Sequence, residues 1–222
     1  MKKLILFAAF LSQAAIGQIT KNPGDFTSVK VFDRINVELI PSSENKVELS
    51  GDRIDDVEVV NKNGELKIRM TIKKLLDGED VEAKIYYKKL GGVDGSEGAF
   101  ISSASPIIAD NFDINSKEGA QIKLALEVGK VRVRAVTGGS VKLSGKADKM
   151  DATLGTGGIL QAKELSTTET DIDIKAGGDA DVNASERVDA DVKAGGNVTI
   201  YGNPRQINKN TALGGTISEG RD

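Results

Sequence analysis

Residues 133–143 read VRAVTGGSVKL, and three later stretches repeat this layout: residues 152–162 read ATLGTGGILQA, residues 172–182 read IDIKAGGDADV, and residues 190–200 read ADVKAGGNVTI. Each stretch places alternating apolar and polar residues on both sides of a two-glycine step. Alternation with a period of two is typical of a β-strand with one buried face. The four stretches therefore predict pairs of short strands that meet at a glycine corner.

The corners recur at a nearly constant interval. They are Gly98-Ala99, Gly119-Ala120, Gly138-Gly139, Gly157-Gly158, Gly177-Gly178, Gly195-Gly196 and Gly214-Gly215, and their first glycines are 21, 19, 19, 20, 18 and 19 residues apart. A fixed period of this kind indicates stacked structural repeats. Glycine suits such corners because it adopts positive φ and allows another backbone to approach closely.

A coiled chain explains how strands this short can bury a face. Parallel neighbours normally need a crossover of roughly a dozen residues, and no stretch between corners has helical period and length. When the chain is wound as a coil, the strand itself forms the connection between parallel neighbours, and successive turns lie about 4.8 Å apart. The sequence predicts an all-β, single-stranded, right-handed parallel β-helix (β-solenoid) with about seven regular rungs of 18–21 residues.

The rungs supply two predicted sets of inward residues. Those three positions after the first glycine are Ile101, Ile122, Val141, Leu160, Ala180, Val198 and Ile217. Each unit is predicted to have two short strands that meet at the corner, followed by a variable third side. The inward residues of this third side are Ile107, Val128, Met150, Leu165, Val188 and Ile207. At the C-terminal end the inward positions become Lys209, Thr211 and Glu219, so the stack is expected to end there.

The first residues have the layout of a secretory signal peptide. Lys2 and Lys3 precede an apolar run, and small residues stand before Gln18. The apolar run is too short to cross roughly 30 Å of hydrocarbon, which disfavours a membrane anchor. The sequence predicts a signal peptide over residues 1–17, no membrane span in the mature chain, and a periplasmic or extracellular location.

The remaining residues, 18–222, are predicted to form one domain. Residues 91–222 carry the regular repeats, and residues 18–90 are expected to form irregular N-terminal coils that cap the stack. Within this cap, the apolar residues of 32–39 indicate a strand. Asn63-Gly64 lies between two apolar stretches and predicts a hairpin turn.

Composition removes several classes of function. The 222 residues include no Cys, His or Trp and only nine Phe and Tyr residues, and the net charge is −3. This excludes Cys–His and Ser–His–Asp nucleophiles, disulfides, and metal sites built from histidine or thiolate. It also leaves no strongly basic or stacking surface for nucleic acid. We therefore expect no catalytic residue and no cofactor.

Two outward clusters are candidate sites. Asp171, Asp173, Asp189 and Asp191 form a predicted acidic ladder, which is either a calcium site or, as we favour, a solvated strip that keeps the β surface soluble. Paired carboxylates could also cleave a glycosidic bond, but that chemistry needs a cleft, and the short loops predict none.

Tyr86-Tyr87 with Lys88-Lys89 is a candidate contact for a partner or glycan, although strand tyrosines usually bury the ring. Lys73-Lys74 is interpreted as a solvated turn.

Three features of the chain stand out together: residues 31–39 (VFDRINVEL), the series of Gly-Gly corners, and residues 197–204 (NVTIYGNP) followed by Gly214-Gly215-Thr216-Ile217. With these features the chain resembles one bacterial family, the "putative auto-transporter adhesin, head GIN domain" family, a domain of unknown function. The resemblance covers nearly the whole mature chain. It implies a secreted or surface-associated right-handed β-helix with an adhesin label, and it brings no catalytic residues.

These observations predict a non-catalytic, exported structural or adhesion-type protein of the cell envelope that acts through its β-helix surface. Candidate partners are a cell-surface glycan, a protein, or a second copy of the chain joined through its flat walls. The alternative is a carbohydrate-active or calcium-binding β-helix protein.

Overall fold

The structure is a computed structural model that describes residues 18–221, so the predicted signal peptide lies outside the described residues. Its 17 strands form one sheet. They are β1 (Gln18–Lys21), β2 (Ser28–Val31), β3 (Asn36–Pro41), β4 (Lys46–Gly51), β5 (Val57–Lys62), β6 (Glu65–Met70), β7 (Val81–Tyr87), β8 (Gly92–Gly95), β9 (Phe100–Ser103), β10 (Ile107–Ser116), β11 (Gln121–Val136), β12 (Ser140–Gly155), β13 (Gly158–Ile174), β14 (Gly178–Ala194), β15 (Asn197–Tyr201), β16 (Gln206–Leu213) and β17 (Thr216–Glu219). Short 3-10 turns cover Ile54–Asp56 and Ile72–Lys74, and no helix within 18–221 is long and apolar enough to span a bilayer.

The chain winds as the predicted β-solenoid of about seven turns. The strands β11 to β14 each make one coil and pair in parallel with the coils on either side. Val141, for example, lies between Ile122 and Leu160. The prediction of two short strands per coil was wrong, because each of these strands continues for 16 or 17 residues from one corner to the next. Stacking in register lets hydrogen bonds continue around the bends.

The interior is one continuous apolar cluster. Of the inward residues predicted after the corners, six are at most 3% exposed, and Ile217 on the last coil is partly buried. The predicted third-side residues are also buried, apart from Ile207, which is partly buried against the core. They do not form one column, however, because each full coil has two inward residues there. Val128 stacks on Ala147, whereas Met150 stacks on Val131.

The two glycines of a corner meet different requirements. In two of the corners, two consecutive residues have a left-handed backbone conformation: the first glycine and the threonine before it. Thr156 and Gly157, for example, have φ of 52° and 75°. The second glycine, Gly158, has no positive φ, but a Cβ there would overlap the carbonyl oxygen of Ala135 on the preceding coil. The bend therefore starts one residue earlier than the Gly-Gly pattern suggests.

Antiparallel strands close the N-terminal end. The strands β6 and β7 stack on β2 and β3 in parallel, so a later coil covers an earlier one. Outside them, β5 pairs with β6, β4 with β7, and β1 with β4, all antiparallel. The turn between β5 and β6 is Asn63-Gly64, which confirms the predicted hairpin. The cap is thus made of reversed strands rather than only of wider coils.

The strand predicted over residues 32–39 is interrupted by a corner. Asp33 and Arg34 both adopt left-handed conformations, with φ of 58° and 62°, and the Arg34 amide donates to the carbonyl oxygen of Glu97 on the next coil at 3.0 Å. Val31, rather than Phe32, faces the core. The corners of the stack therefore begin in residues 31–39 with a pair that contains no glycine.

At the C-terminal end the inward columns end in polar residues, as predicted. Lys209 stacks on Ala190, Thr211 on Val192, and Glu219 on Ile200. The Lys209 ammonium and the Glu219 carboxylate lie 2.6 Å apart. An inward ion pair of this kind discourages further strands from adding to the open edge.

Candidate functional site

The structure brings the four residues of the acidic ladder together. Asp171 stacks on Asp189 and Asp173 on Asp191, between neighbouring coils β13 and β14. Each pair is shared by one cation. Arg187 contacts Asp171 at 3.3 Å and also pairs with Asp189, while Lys193 lies 3.2 Å from Asp173 and 3.9 Å from Asp191.

These cations pair with the carboxylates that a calcium ion would need as ligands. Within residues 18–221 no group of three or more acidic side chains is arranged to hold a metal ion. A column of Lys149, Glu169 and Arg187 runs beside the aspartates, and Lys149 reaches Asp171 at 2.7 Å on the following coil. This geometry favours the interpretation of the ladder as an ion-paired, solvated strip.

A long groove lies on the neighbouring bend of the third side. It has a volume of about 1300 Å³ and crosses five consecutive strands, β10 to β14. Its walls and floor come from Ile108–Asn111, Glu127–Gly129, Lys146–Asp148, Ser166–Thr168, Asn183 and Ser185, and its N-terminal end from Thr27 and Tyr87–Gly91. The short loops were expected to build no cleft that excludes water, and this groove is open, with Asp110, Glu127 and Asp148 exposed along it.

The groove follows from a local change in side-chain alternation. In β12, Ala147 and Met150 both face the core, so Asp148 and Lys149 between them both lie on the outer side. Two consecutive outward residues bend the strand, and the small inward Ala147 lets the wall sit close to the core. The positions that stack with Asp148 are Asp110, Gly129 and Thr168, which are common turn residues. This stacked set is the signal that sequence reasoning missed.

The far half of the groove is fixed by buried hydroxyl groups. Thr167 is 5% exposed, and its hydroxyl lies 2.9 Å from that of Thr170 and donates to the Asn183 carbonyl oxygen at 2.8 Å. The Asn183 side-chain amide in turn donates to the Lys163 carbonyl oxygen at 2.8 Å. The bend is therefore held in one shape, with Ser166 and Thr168 beside it.

Charged side chains in the groove are balanced in sign and mostly free of one another. Lys88 lies 3.2 Å from Asp25. The five other charged residues of the groove make no ion pair within 4 Å with any residue of 18–221; they are Lys89, Asp110, Glu127, Lys146 and Asp148. On the ladder, by contrast, every aspartate has a cation within 4 Å.

Tyr86 and Tyr87 play different roles. The Tyr86 hydroxyl donates to Glu48 at 3.0 Å, and the Lys46 ammonium lies 4.3 Å from its ring centre. Tyr87 is 5% exposed and lines the N-terminal end of the groove beside Lys88 and Lys89. Its hydroxyl is buried without a hydrogen-bond partner in 18–221, and burial raises its pKa to about 12. Tyr87, Lys88 and Lys89 of the cluster therefore belong to the groove, whereas Tyr86 does not.

A family model described as "Putative auto-transporter adhesin, head GIN domain" matches residues 25–204. The chain belongs to this family. The match includes the Asp33-Arg34 corner, the groove and the acidic ladder of this head GIN protein. No curated protein matched the chain.

Several solved structures share the fold of this head GIN protein. A "putative adhesin" from Bacteroides fragilis is 21% identical, with a TM-score of 0.85 over 94% of this chain and 98% of that one. A "putative adhesin" from Parabacteroides distasonis is 19% identical, with a TM-score of 0.70 over 92% and 96%. A "putative lipid binding protein" from Parabacteroides distasonis is 14% identical, with a TM-score of 0.66 over 92% and 96%. At these identities the likeness shows the fold alone.

Proposed function

We propose that this head GIN protein is a non-catalytic, exported adhesion-type protein of the cell envelope that binds an extended cell-surface glycan along its third-side groove. The observation that carries the proposal is the set of unpaired charged and hydroxyl groups that lines the groove. Membership of a family named for adhesins supports the general class of function.

The dimensions of the groove suit a chain rather than a small compact ligand. Five strands spaced about 4.8 Å apart give a length of roughly 19 Å. Most backbone amides of these strands are already bonded to neighbouring coils, so recognition must use side chains. Hydroxyl, carboxylate and ammonium groups repeated along this length can bond the many hydroxyls of a sugar chain.

Exposure of the groove carboxylates favours binding over cleavage. Asp110 and Asp148 lie two coils apart, roughly 10 Å, a separation near that of paired carboxylates in sugar-cleaving enzymes. Hydrolysis also needs one carboxyl group kept protonated by burial, whereas Asp110 and Asp148 are both exposed. Turnover of any polysaccharide by the protein would overturn the non-catalytic part of the proposal.

A glycan array with three proteins tests the binding site. The wild type, the groove variant Asp148→Arg and the control Glu164→Arg carry matched charge changes, since Glu164 is exposed but does not line the groove. We expect one class of glycan to bind the wild type and the control but not the groove variant. Equal binding by all three proteins would refute the groove as the site, and no binding to any glycan would refute the ligand class.

Export has a separate test. Expression of the full chain, followed by mass spectrometry of the envelope fraction, is expected to give a mature protein that starts near Gln18. Recovery of the uncleaved chain in the cytoplasm would contradict this part of the proposal.

A further inference from the structure

Three of the large apolar side chains that the structure exposes lie within five residues of the N-terminal cap. Ile72 is 79% exposed, Leu75 54% and Leu76 44%. The other exposed large apolar residues of 18–221 are spread over the molecule; they are Val60, Ile108, Ile159 and Leu213. Single exposed apolar residues are ordinary, but a cluster of three on one loop marks a contact surface. We call residues 71–77 the cap loop.

The cap loop is held in place by a buried carboxylate. Asp33 is 1% exposed, and its two oxygens accept hydrogen bonds from the backbone amides of Met70 at 2.9 Å and Leu76 at 3.0 Å. Leu76 is kept in a left-handed conformation, with φ of 65°, which is rare for a leucine. The Thr71 amide also donates to the Asp56 carbonyl oxygen at 2.8 Å. The loop is therefore built to keep its apolar side chains in water rather than fold them inward.

Two lysines lie among the apolar side chains. Lys73 and Lys74 make no ion pair within 4 Å with any described residue. The acidic groups of this end are partly neutralised, because Arg53 lies 3.1 Å from Asp77 and Arg34 lies 3.2 Å from Glu79. The remaining acidic residues near the loop are Asp52, Asp55, Asp56 and Asp80, besides the buried Asp33. Because acidic residues outnumber basic ones here, binding by this loop would be driven by its apolar side chains.

We propose that the cap loop inserts into the headgroup layer of a phospholipid bilayer. Ile72, Leu75 and Leu76 enter the boundary with the acyl chains, and the ammonium groups of Lys73 and Lys74 remain at the level of the lipid phosphates. A protein partner fits less well, since a stable protein interface needs roughly 800 Å² and about 20 residues on each side, far more than one short loop.

This inference is independent of the glycan proposal. The cap loop lies at the N-terminal end of the stack, and the groove runs along the side of the solenoid. Attachment through the cap loop therefore leaves the groove in water, where it can meet a ligand. Failure of one proposal leaves the other standing, because the two experiments use different residues.

Because the chain contains no tryptophan, the fluorescence of a single introduced tryptophan reports on its own position alone. Ile72→Trp places a single tryptophan in the cap loop, and Ile108→Trp places one at a site of similar exposure, 76%, in the groove. With vesicles of phosphatidylcholine and phosphatidylglycerol, we expect the emission at position 72 to shift to shorter wavelength and to become protected from acrylamide. The emission at position 108 is expected to stay unchanged. No shift at position 72, or equal shifts at both positions, would overturn the proposal.

Vesicle co-sedimentation provides a second test with the native residues. Loss of one inserted leucine is worth about tenfold or more in partitioning, so Leu75→Ser should bind vesicles about tenfold more weakly than the wild type. Lys73→Glu with Lys74→Glu should also weaken binding, whereas the control Lys123→Glu with Lys142→Glu, an exposed stacked pair outside the cap, should not. Thermal unfolding of each variant checks that it is folded. Undiminished binding by Leu75→Ser, or equal loss with both charge reversals, would contradict insertion of the loop.

Discussion

Replacing Gly157 or Gly158 by alanine separates the two requirements that one corner places on its backbone. A Cβ on Gly157 would meet nothing within 4 Å, but its φ of 75° is a left-handed conformation. That conformation costs an alanine about 1–2 kcal/mol, of which roughly 0.4–1 kcal/mol is offset because alanine also reduces the freedom of the unfolded chain. Gly157→Ala should therefore lower the free energy of unfolding by about 1 kcal/mol.

Gly158→Ala has a different and larger cost. Its Cβ would overlap the carbonyl oxygen of Ala135, so the coils of β11, β12 and β13 must move apart locally. Overpacking costs roughly 1–3 kcal/mol, and each ladder hydrogen bond that is lost adds about 1 kcal/mol. We expect a total of about 3 kcal/mol or more. Because the backbone of Gly158 has no positive φ, none of this cost comes from strain in φ.

Urea unfolding followed by circular dichroism measures both variants against Gln161→Ala, an exposed control in the same strand. For a chain of this size, 1 kcal/mol corresponds to about 2–4 °C in Tm, which gives an independent check. The control should lie within about 0.5 kcal/mol of the wild type. If Gly157→Ala costs as much as Gly158→Ala, the assignment of φ to the first glycine and space to the second is refuted.

Three further predictions follow from single groups. Burial and the neighbouring Asp33 carboxylate raise the pKa of Glu97, so its ionised form destabilises the fold. Glu97→Gln should therefore raise Tm at pH 7, and this gain should disappear as the pH falls below about 4.5; a gain that persists in acid would contradict the cause. Tyr87→Phe removes a buried hydroxyl that has no partner, so the free energy of unfolding should stay unchanged or rise by about 1 kcal/mol, and a clear loss in urea unfolding would reveal a hidden hydrogen bond. Calcium should shift the wild-type Tm no more than magnesium does, whereas Arg187→Gln, which removes the cation shared by Asp171 and Asp189, should increase the calcium shift. A large calcium-specific shift of the wild type that Asp171→Asn abolishes would instead establish a calcium site on the ladder.

Side-chain alternation was enough to predict which residues face the core. Val141, Leu160 and Val198 are buried as expected, because a shift of one residue would turn every side chain of a strand to the opposite face. The same rule failed where two neighbouring residues face outward, as at Asp148 and Lys149. Alternation cannot show such a place, since the bend depends on which small residue packs beneath it.

The corners and the groove were less accessible to sequence reasoning for a related reason. A left-handed threonine before the glycine, such as Thr156, looks like any outward strand residue in a sequence. The Asp33-Arg34 corner contains no glycine, and its position is set partly by hydrogen bonds that Asp33 accepts from residues about forty positions later. The groove likewise joins Tyr87–Gly91 to strands that follow it, so it exists only after the coils are stacked.

Stacking also explains why the chain treats its charged residues differently on adjacent faces. In a solenoid each outward residue lies about 4.8 Å from its equivalent on the next coil, where two like charges in water repel by about 1 kcal/mol. The ladder tolerates stacked Asp171 and Asp189 because Arg187 and Lys149 lie beside them. In β12 the ladder position is Asp151, and Asp148 lies three residues before it. Among residues 18–221, Asp148 has no cation within 4 Å, although Lys146 is close in sequence. These unpaired groups of the groove are the ones that the proposed glycan would bond, and the array with Asp148→Arg tests them.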